Sequence, residues 1–350
     1  MNLTEEKTQF QVDEYITAIV WSPDGTSFVV ATADGEIVQI TNDRDPWTPR
    51  NIQKANGLSI NALAFSANGQ YLAAAGQAGR LYLWEWGESL ESFDFPGCWI
   101  ETLSWHPSRS QLAFGIGKAV GIWNGETKKI ETKLDFKKSS VLDLAWSQDG
   151  DRLAVAGNQM IHVYLTQNWS LEPSFSETSS ACNTIAWAPE DAYFAAGCFD
   201  QSVLVYGQLL EGRLVNGQQQ FGIDDPWRMS GFPVKVSQVA WSSRINPNTQ
   251  EPILATVSGE GVVLWNRTED NWAGTLAVTH EGRIQAIDWH PKKLQLIAAG
   301  KDGQISIWNV EDNLKAITTD IAWSTIAWSP TGHAFVTGSD RGIIQIWNGG

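Results

Sequence analysis

The sequence predicts an all-β fold in which eight antiparallel units of four strands each close into one ring. Three observations carry that expectation. Strands of alternating apolar residues, ended by aromatic anchors, recur at a step of about 40 residues along almost the whole chain. The segments between them group Pro, Gly, Asp and Asn as turns do, with no helical periodicity. A strand pattern also stands ahead of the first unit while the last unit ends one strand short, so the two ends can complete each other.

The unit is clearest from Ser324 to Asn348. Apolar residues fall at every second position in Ile326 to Trp328, Ala334 to Val336 and Ile344 to Trp347, and Pro330-Thr331-Gly332 and Ser339 to Gly342 supply the turns. Three strands alone leave apolar faces bare and an edge unpaired, so the unit needs neighbours of its own kind. They are present. The aromatic ending the first strand recurs as Trp21, Phe65, Trp105, Trp146, Trp187, Trp241, Trp289 and Trp328, and third strands end at Ile40, Trp84, Trp123, Tyr164, Tyr206, Trp265, Trp308 and Trp347. Most steps match the roughly 40–45 residues of a four-stranded propeller blade and are too long for a leucine-rich repeat. The expectation is an eight-bladed β-propeller in one domain, 1–350, with repeat cores at about 16–40, 60–84, 100–123, 141–164, 182–206, 236–265, 284–308 and 323–347.

The units resemble the WD-repeat family, whose pattern is an apolar first strand running into a Ser-Pro-Asp-Gly-like turn, a second strand, an Asp-Gly-like turn, and a third strand ending in Trp-Asp. The first turn stands here as Ser22-Pro23-Asp24-Gly25, Ser66-Ala67-Asn68-Gly69 and Ser147-Gln148-Asp149-Gly150, and the second as Asp34-Gly35 and Asp302-Gly303. The closing dipeptide departs from the family in reading Trp-Asn at Trp123-Asn124, Trp265-Asn266, Trp308-Asn309 and Trp347-Asn348.

Taken in order, residues 1–13 read as the closing strand, with Thr8, Phe10 and Val12 alternating, and complete the last blade. Outer strands of the other blades fall in less regular connectors: Arg50 to Lys54, Ser89 to Phe93, Ile130 to Leu134, Leu171 to Phe175, Thr275 to Val278 and Leu314 to Thr318. Two segments exceed the period. Gly207 to Lys235 leads into the sixth unit, and Ser242 to Pro252 lengthens a hairpin on the opposite face.

Composition narrows the function. The chain has 39 acidic and 24 basic residues, a net charge of −15 and a pI near 4.7, which disfavours nucleic acid or an anionic membrane as the main partner. No run of apolar residues is long enough to span a bilayer, so membrane insertion is not expected. Three Cys among 350 residues give no disulfide framework and suit a reducing, cytoplasmic address. Of the 19 Trp, 12 stand at the two anchor positions, where flat side chains fill the wedge between blades.

Few residues suggest chemistry. By the resemblance, His280, Asp302 and Trp308 match three positions of an intrablade hydrogen-bond tetrad. The ring of His280 is placed to bridge Asp302 and a third-strand hydroxyl position, but the second strand, Ile297-Ala298-Ala299-Gly300, lacks the tetrad's hydroxyl. A His–Asp pair also suits acid–base work; the structural role is the simpler reading. Cys182 and Cys198 fall opposite each other if the fifth unit pairs Trp187 with Tyr193, with Cβ atoms roughly 4.5–5.5 Å apart. Three readings stay open for them: inert thiols, a redox pair, or two ligands of a soft metal. His106 and His290, each before Pro in a hairpin turn, read as turn-filling, and His162 and His333 follow no metal spacing. No Gly-rich phosphate loop, Gly-x-Ser-x-Gly elbow or Cys-x-x-Cys is present, and no cofactor is expected.

The resemblance implies instead a face that grips peptides, built from residues six before each first-strand aromatic and those just before the second turn. On it fall Tyr15, Trp99, Phe199 and the nearby Trp323 as aromatic anchors, Lys235, Arg283, Lys301 and Arg341 as a basic arc, and Asp340. Aromatics that desolvate readily beside cations suit an acidic or aromatic protein segment. The expectation is a non-enzymatic protein- or peptide-binding scaffold, monomeric by itself within a larger complex. The alternatives are a metal- or redox-linked adaptor using Cys182 and Cys198 and, third, a small-molecule enzyme using the central channel.

Overall fold

Eight four-stranded antiparallel sheets make up the protein. In the computed structural model, residues 8–42, 46–87, 90–136, 138–171, 177–207, 213–215, 218–220, 226–310 and 313–349 are described. The sheets follow the chain as blades 1 to 8. In blade 1 the strands are Ile16–Trp21, Ser27–Thr32, Ile37–Thr41 and Thr48–Gln53, running from the inner edge outward. First strands pack against the first strands of neighbouring blades, so together they form the inner wall of the ring.

One register repeats in every blade. The first-strand anchor stands opposite an apolar residue of the second strand, which stands opposite the third-strand anchor: Trp21–Phe28–Ile40 in blade 1, Trp187–Phe194–Tyr206 in blade 5 and Trp328–Phe335–Trp347 in blade 8. The remaining five blades keep it. Period-2 alternation sets this row on one face of each sheet, where it meets the next blade. Six first-strand indoles, all but that of Trp328, also cross the blade junctions. Trp105 Nε1 donates to Ala64 O at 2.9 Å, Trp146 Nε1 to Ser104 O at 2.9 Å and Trp187 Nε1 to Ala145 O at 3.1 Å. Trp21, Trp241 and Trp289 make the same bond to Ala327, Ala186 and Ala240. A buried indole N–H is thus satisfied while its ring fills the wedge.

His106 and His290 add two equivalent clasps on the opposite face. In each, Nδ1 accepts two backbone N–H groups of its own turn while Nε2 reaches a glycine carbonyl of the next blade: Gly150 O for His106 and Gly332 O for His290, both at 3.2 Å. Those glycines have φ of +77° and +76°, and a Cβ on either would collide with the imidazole. The turn-filling role expected for both histidines therefore extends to joining blades.

The amino-terminal strand closes the ring. Gln9–Gln11 pairs antiparallel with the third strand of blade 8, matching Gln9 with Gln345, Phe10 with Ile344 and Gln11 with Ile343. Residues 1–7 of the expected closing segment lie outside the described residues.

Blade 5 departs from expectation. Its outer strand is Trp227–Ser230, supplied by the long segment after Gly207, whereas the pattern assigned no strand there. Arg213–Val215 and Gln218–Gln220 pair as a separate two-stranded hairpin, and the rest of 208–225 lies outside the described residues. In blade 4 the outer strand is Ser170–Leu171, and the expected continuation through Phe175 likewise lies outside them. No helix among the described residues is long and apolar enough to cross a membrane.

Candidate functional site

Two rows of residues build one rim: the approaches to the first strands and the turns between second and third strands. A single backbone bond ties them together in five blades. Ala33 N–H donates to Tyr15 O, Gln77 to Ser59 O, Phe199 to Ala181 O, Lys301 to Arg283 O and Asp340 to Ala322 O, at 2.9 to 3.1 Å. The residues that sequence spacing grouped as one face are thus neighbours.

Exposure sorts them. Trp99 is 62% exposed and Phe199 45%. Large apolar side chains on such surfaces are costly to leave in water. Leu58 (46%), Leu142 (37%) and Val234 (45%) stand bare on the same approaches, so blades 2 to 6 each present one large apolar side chain at this rim. Sequence spacing missed these three because the approaches differ in length and the exposed residue drifts from the six-residue offset. Lys235 Nζ sits 4.3 Å above the Phe199 ring, joining blades 6 and 5. Arg283, Lys301 and Arg341 follow, all exposed, with Asp340 beside Arg341. Tyr15 is half-buried next to Ser324 and Asp340, and burial raises its phenol pKa.

Trp323 is not an anchor. It is fully buried, packed 6.2 Å from Trp347, because it falls in the inward row that holds Ile16, Ile60, Cys182 and Ile284 in other blades. That row faces the core, so a tryptophan there has no route to the surface.

The His280 set is complete in a different way from the tetrad. Nδ1 meets Asp302 Oδ1 at 3.2 Å and Nε2 meets Ser306 Oγ at 2.9 Å. The hydroxyl missing from the second strand is supplied by the third, and Trp308 packs edge-on against Trp289 instead. Asp302 also accepts the backbone N–H groups of Glu281 and Gly282. Burial lowers the pKa of His280, and these contacts hold a turn.

Two carboxylates stand on the inner strands. Asp143 accepts Ile185 N–H of blade 5 at 2.8 Å, and Asp288 accepts Trp328 N–H of blade 8 at 2.7 Å. Burial raises them to about 6 and about 7 respectively. Gln238 Oε1 makes the same kind of bond to Ile287 N–H, so the geometry serves blade joining with or without a charge.

Cys182 and Cys198 do face each other, although the hairpin pairs Trp187 with Phe194 rather than Tyr193. A bulge at Asn183 makes up the one-residue difference. No group of three or more His, Cys, Asp or Glu among the described residues is placed to hold a metal.

Comparison with known proteins matches this geometry. The sequence profile of the WD domain, G-beta repeat, fits residues 6–39, 47–85, 128–164, 169–207, 274–309 and 315–348. The chain belongs to the WD-repeat family. Each matched repeat takes in all or most of the outer strand of one blade and continues into the next, and the first takes in the strand that completes blade 8. Among curated WD-repeat relatives and others, the chain is 23% identical over 97% of its length to telomerase protein component 1 of Mus musculus, and 23% over 93% to protein HIR1 of Aspergillus oryzae. It is 27% identical over 43% of its length to the small ribosomal subunit protein RACK1 of Caenorhabditis elegans. The chain spans 13%, 33% and 50% of those proteins. The solved structure of Sqt1 from Chaetomium thermophilum superposes with a TM-score of 0.79 over 98% of both chains at 16% identity, which shows a shared fold.

Proposed function

We propose that this WD-repeat propeller is a non-enzymatic scaffold that binds a protein segment on the rim of blades 2 to 8, and that the segment is acidic and aromatic or apolar. WD-repeat relatives suggest the coarser role, protein interaction. The observation that carries the finer reading is the order of side chains around the rim. Leu58, Trp99, Leu142, Phe199 and Val234 offer desolvable surface, and Lys235, Arg283, Lys301 and Arg341 offer cations in a chain of net charge −15. Anchors of this kind supply most of a binding energy, and charges choose the partner and steer its approach. The low cysteine count supports a cytoplasmic address for the scaffold, and its own state would be a monomer.

Selection of random displayed peptides on the immobilised full chain tests the reading. Enriched peptides should carry Asp or Glu beside Trp, Phe or Leu, and Trp99→Ala with Arg283→Glu and Lys301→Glu should abolish their capture while melting unchanged. Basic peptides, or capture indifferent to all three substitutions, would refute it.

A further inference from the structure

Blade 5 contains a feature that rim binding does not use. Cys182 and Cys198 are buried, 0% and 1% exposed, with Sγ atoms 2.6 Å apart. Phe199 N–H donates to Ala181 O at 2.9 Å on the flank of the pair. That bond makes the cysteines a non-hydrogen-bonded pair, the place in an antiparallel ladder where facing side chains come closest. The propeller itself makes no demand for sulfur here: the matching pairs are Ile16 with Thr32, Ile60 with Gly76 and Ile284 with Gly300.

The surroundings decide between the ways two thiols can act. Ile185, Phe194, Ala196 and Tyr206 enclose them, and no third ligand completes a metal set among the described residues. A metal held by both would need bonds of about 2.3 Å to each sulfur, and the two sulfurs are too close to bracket one. Contact of sulfur with sulfur is what disulfide formation requires.

We propose that Cys182 and Cys198 form a dithiol–disulfide couple oxidised by a peroxide. The two thiols share one S–H···S contact in which either can donate, and the sulfur that accepts is the more readily ionised; with Cys198 donating, the contact lowers the pKa of Cys182 and raises that of Cys198. The Cys182 thiolate attacks one peroxide oxygen: an S–O bond forms, the O–O bond breaks, and the departing hydroxide takes a proton to become water. Cys198 then loses its proton and attacks the Cys182 sulfur. The S–S bond forms, the S–O bond breaks, and the second hydroxide takes up that proton. Two thiols and one hydrogen peroxide give one disulfide and two waters, with two electrons passing from sulfur to oxygen. The bond ties both strands directly beneath Phe199, where Lys235 meets its ring, so oxidation stiffens that part of the rim.

The test uses the full chain. Reduced protein is treated with a small excess of hydrogen peroxide, denatured in N-ethylmaleimide and weighed intact. Of the three cysteines, only Cys98 should take an adduct, a cross-linked peptide should join Cys182 to Cys198, and dithiothreitol should restore three adducts. Cys182→Ser should show two adducts and no link; if that variant fails to fold, the wild-type adduct count decides alone. Three adducts after peroxide, or oxidation confined to Cys98, would overturn the proposal. Peptide capture by the reduced protein is a separate readout, so either idea can fail without the other.

Discussion

Phe10 of the amino-terminal strand lies opposite Ile344 of the last blade, residues at the two ends of the chain paired in one sheet. Val12 N–H donates to Gly342 O at 2.9 Å, and Gln11 Nε2 donates to Arg341 O at 2.6 Å, so the strand reaches the rim as well as the outer edge. Without it, blade 8 has an open edge and Ile344 and Ile346 lose their cover. Deleting residues 1–13 should cost about 3 kcal/mol or more, from lost apolar burial at Phe10 and Val12 together with the ladder bonds. Chemical denaturation checks this, and an unchanged midpoint would contradict ring closure by this strand.

The clasps of His106 and His290 make acid sensitivity specific. Each Nδ1 accepts two N–H groups, so each ring must be neutral, and burial first of all depresses both pKa values. The unfolded chain binds those protons near pH 6.5 while the fold refuses them, so stability is present above that pH and is lost as pH falls below it. Replacing both residues with Asn should cost about 1–2 kcal/mol each at pH 7 and flatten the loss as pH falls below about 6.5. Urea midpoints across that range measure it.

Asp288 works with the opposite sign. Its carboxyl is raised to about 7, so the folded state holds the proton more tightly than the unfolded chain. Its contribution is full below about pH 4 and lost as pH rises through about 7. An amide in its place can still accept Trp328 N–H without a charge. Asp288→Asn should therefore stabilise the protein by about 1–2 kcal/mol at pH 8, less than full burial would give because the side chain is only half-buried, with the gain vanishing near pH 4. Thermal midpoints at the two pH values are the check.

Much of this architecture was legible because the anchors do two jobs at once. Trp187 and Tyr206 fill a blade junction and also mark a register, so their spacing carried both the blade count and the row they form. Outer strands were less legible, since Trp227–Ser230 pairs through backbone bonds at a looser edge and follows a long segment without alternation. Trp323 was misread because aromatic character says nothing about which side of a strand faces out; the bulge before Thr325 decides it. A third-strand hydroxyl position was expected beside His280, but the hydroxyl was sought on the second strand and found lacking; Ser306, on the third strand itself, supplies it. Leu58, Leu142 and Val234 left no periodic signal at all, and exposure alone identifies them.

The most direct measurement is the affinity of a selected acidic aromatic peptide, taken at several ionic strengths, for the native chain and for Arg283→Glu with Lys301→Glu. If the cationic arc recognises the acidic groups, native affinity falls by about tenfold between low and high salt, while the double variant binds more weakly and loses the salt dependence. Equal affinities and equal salt slopes in the two proteins would contradict binding at this rim.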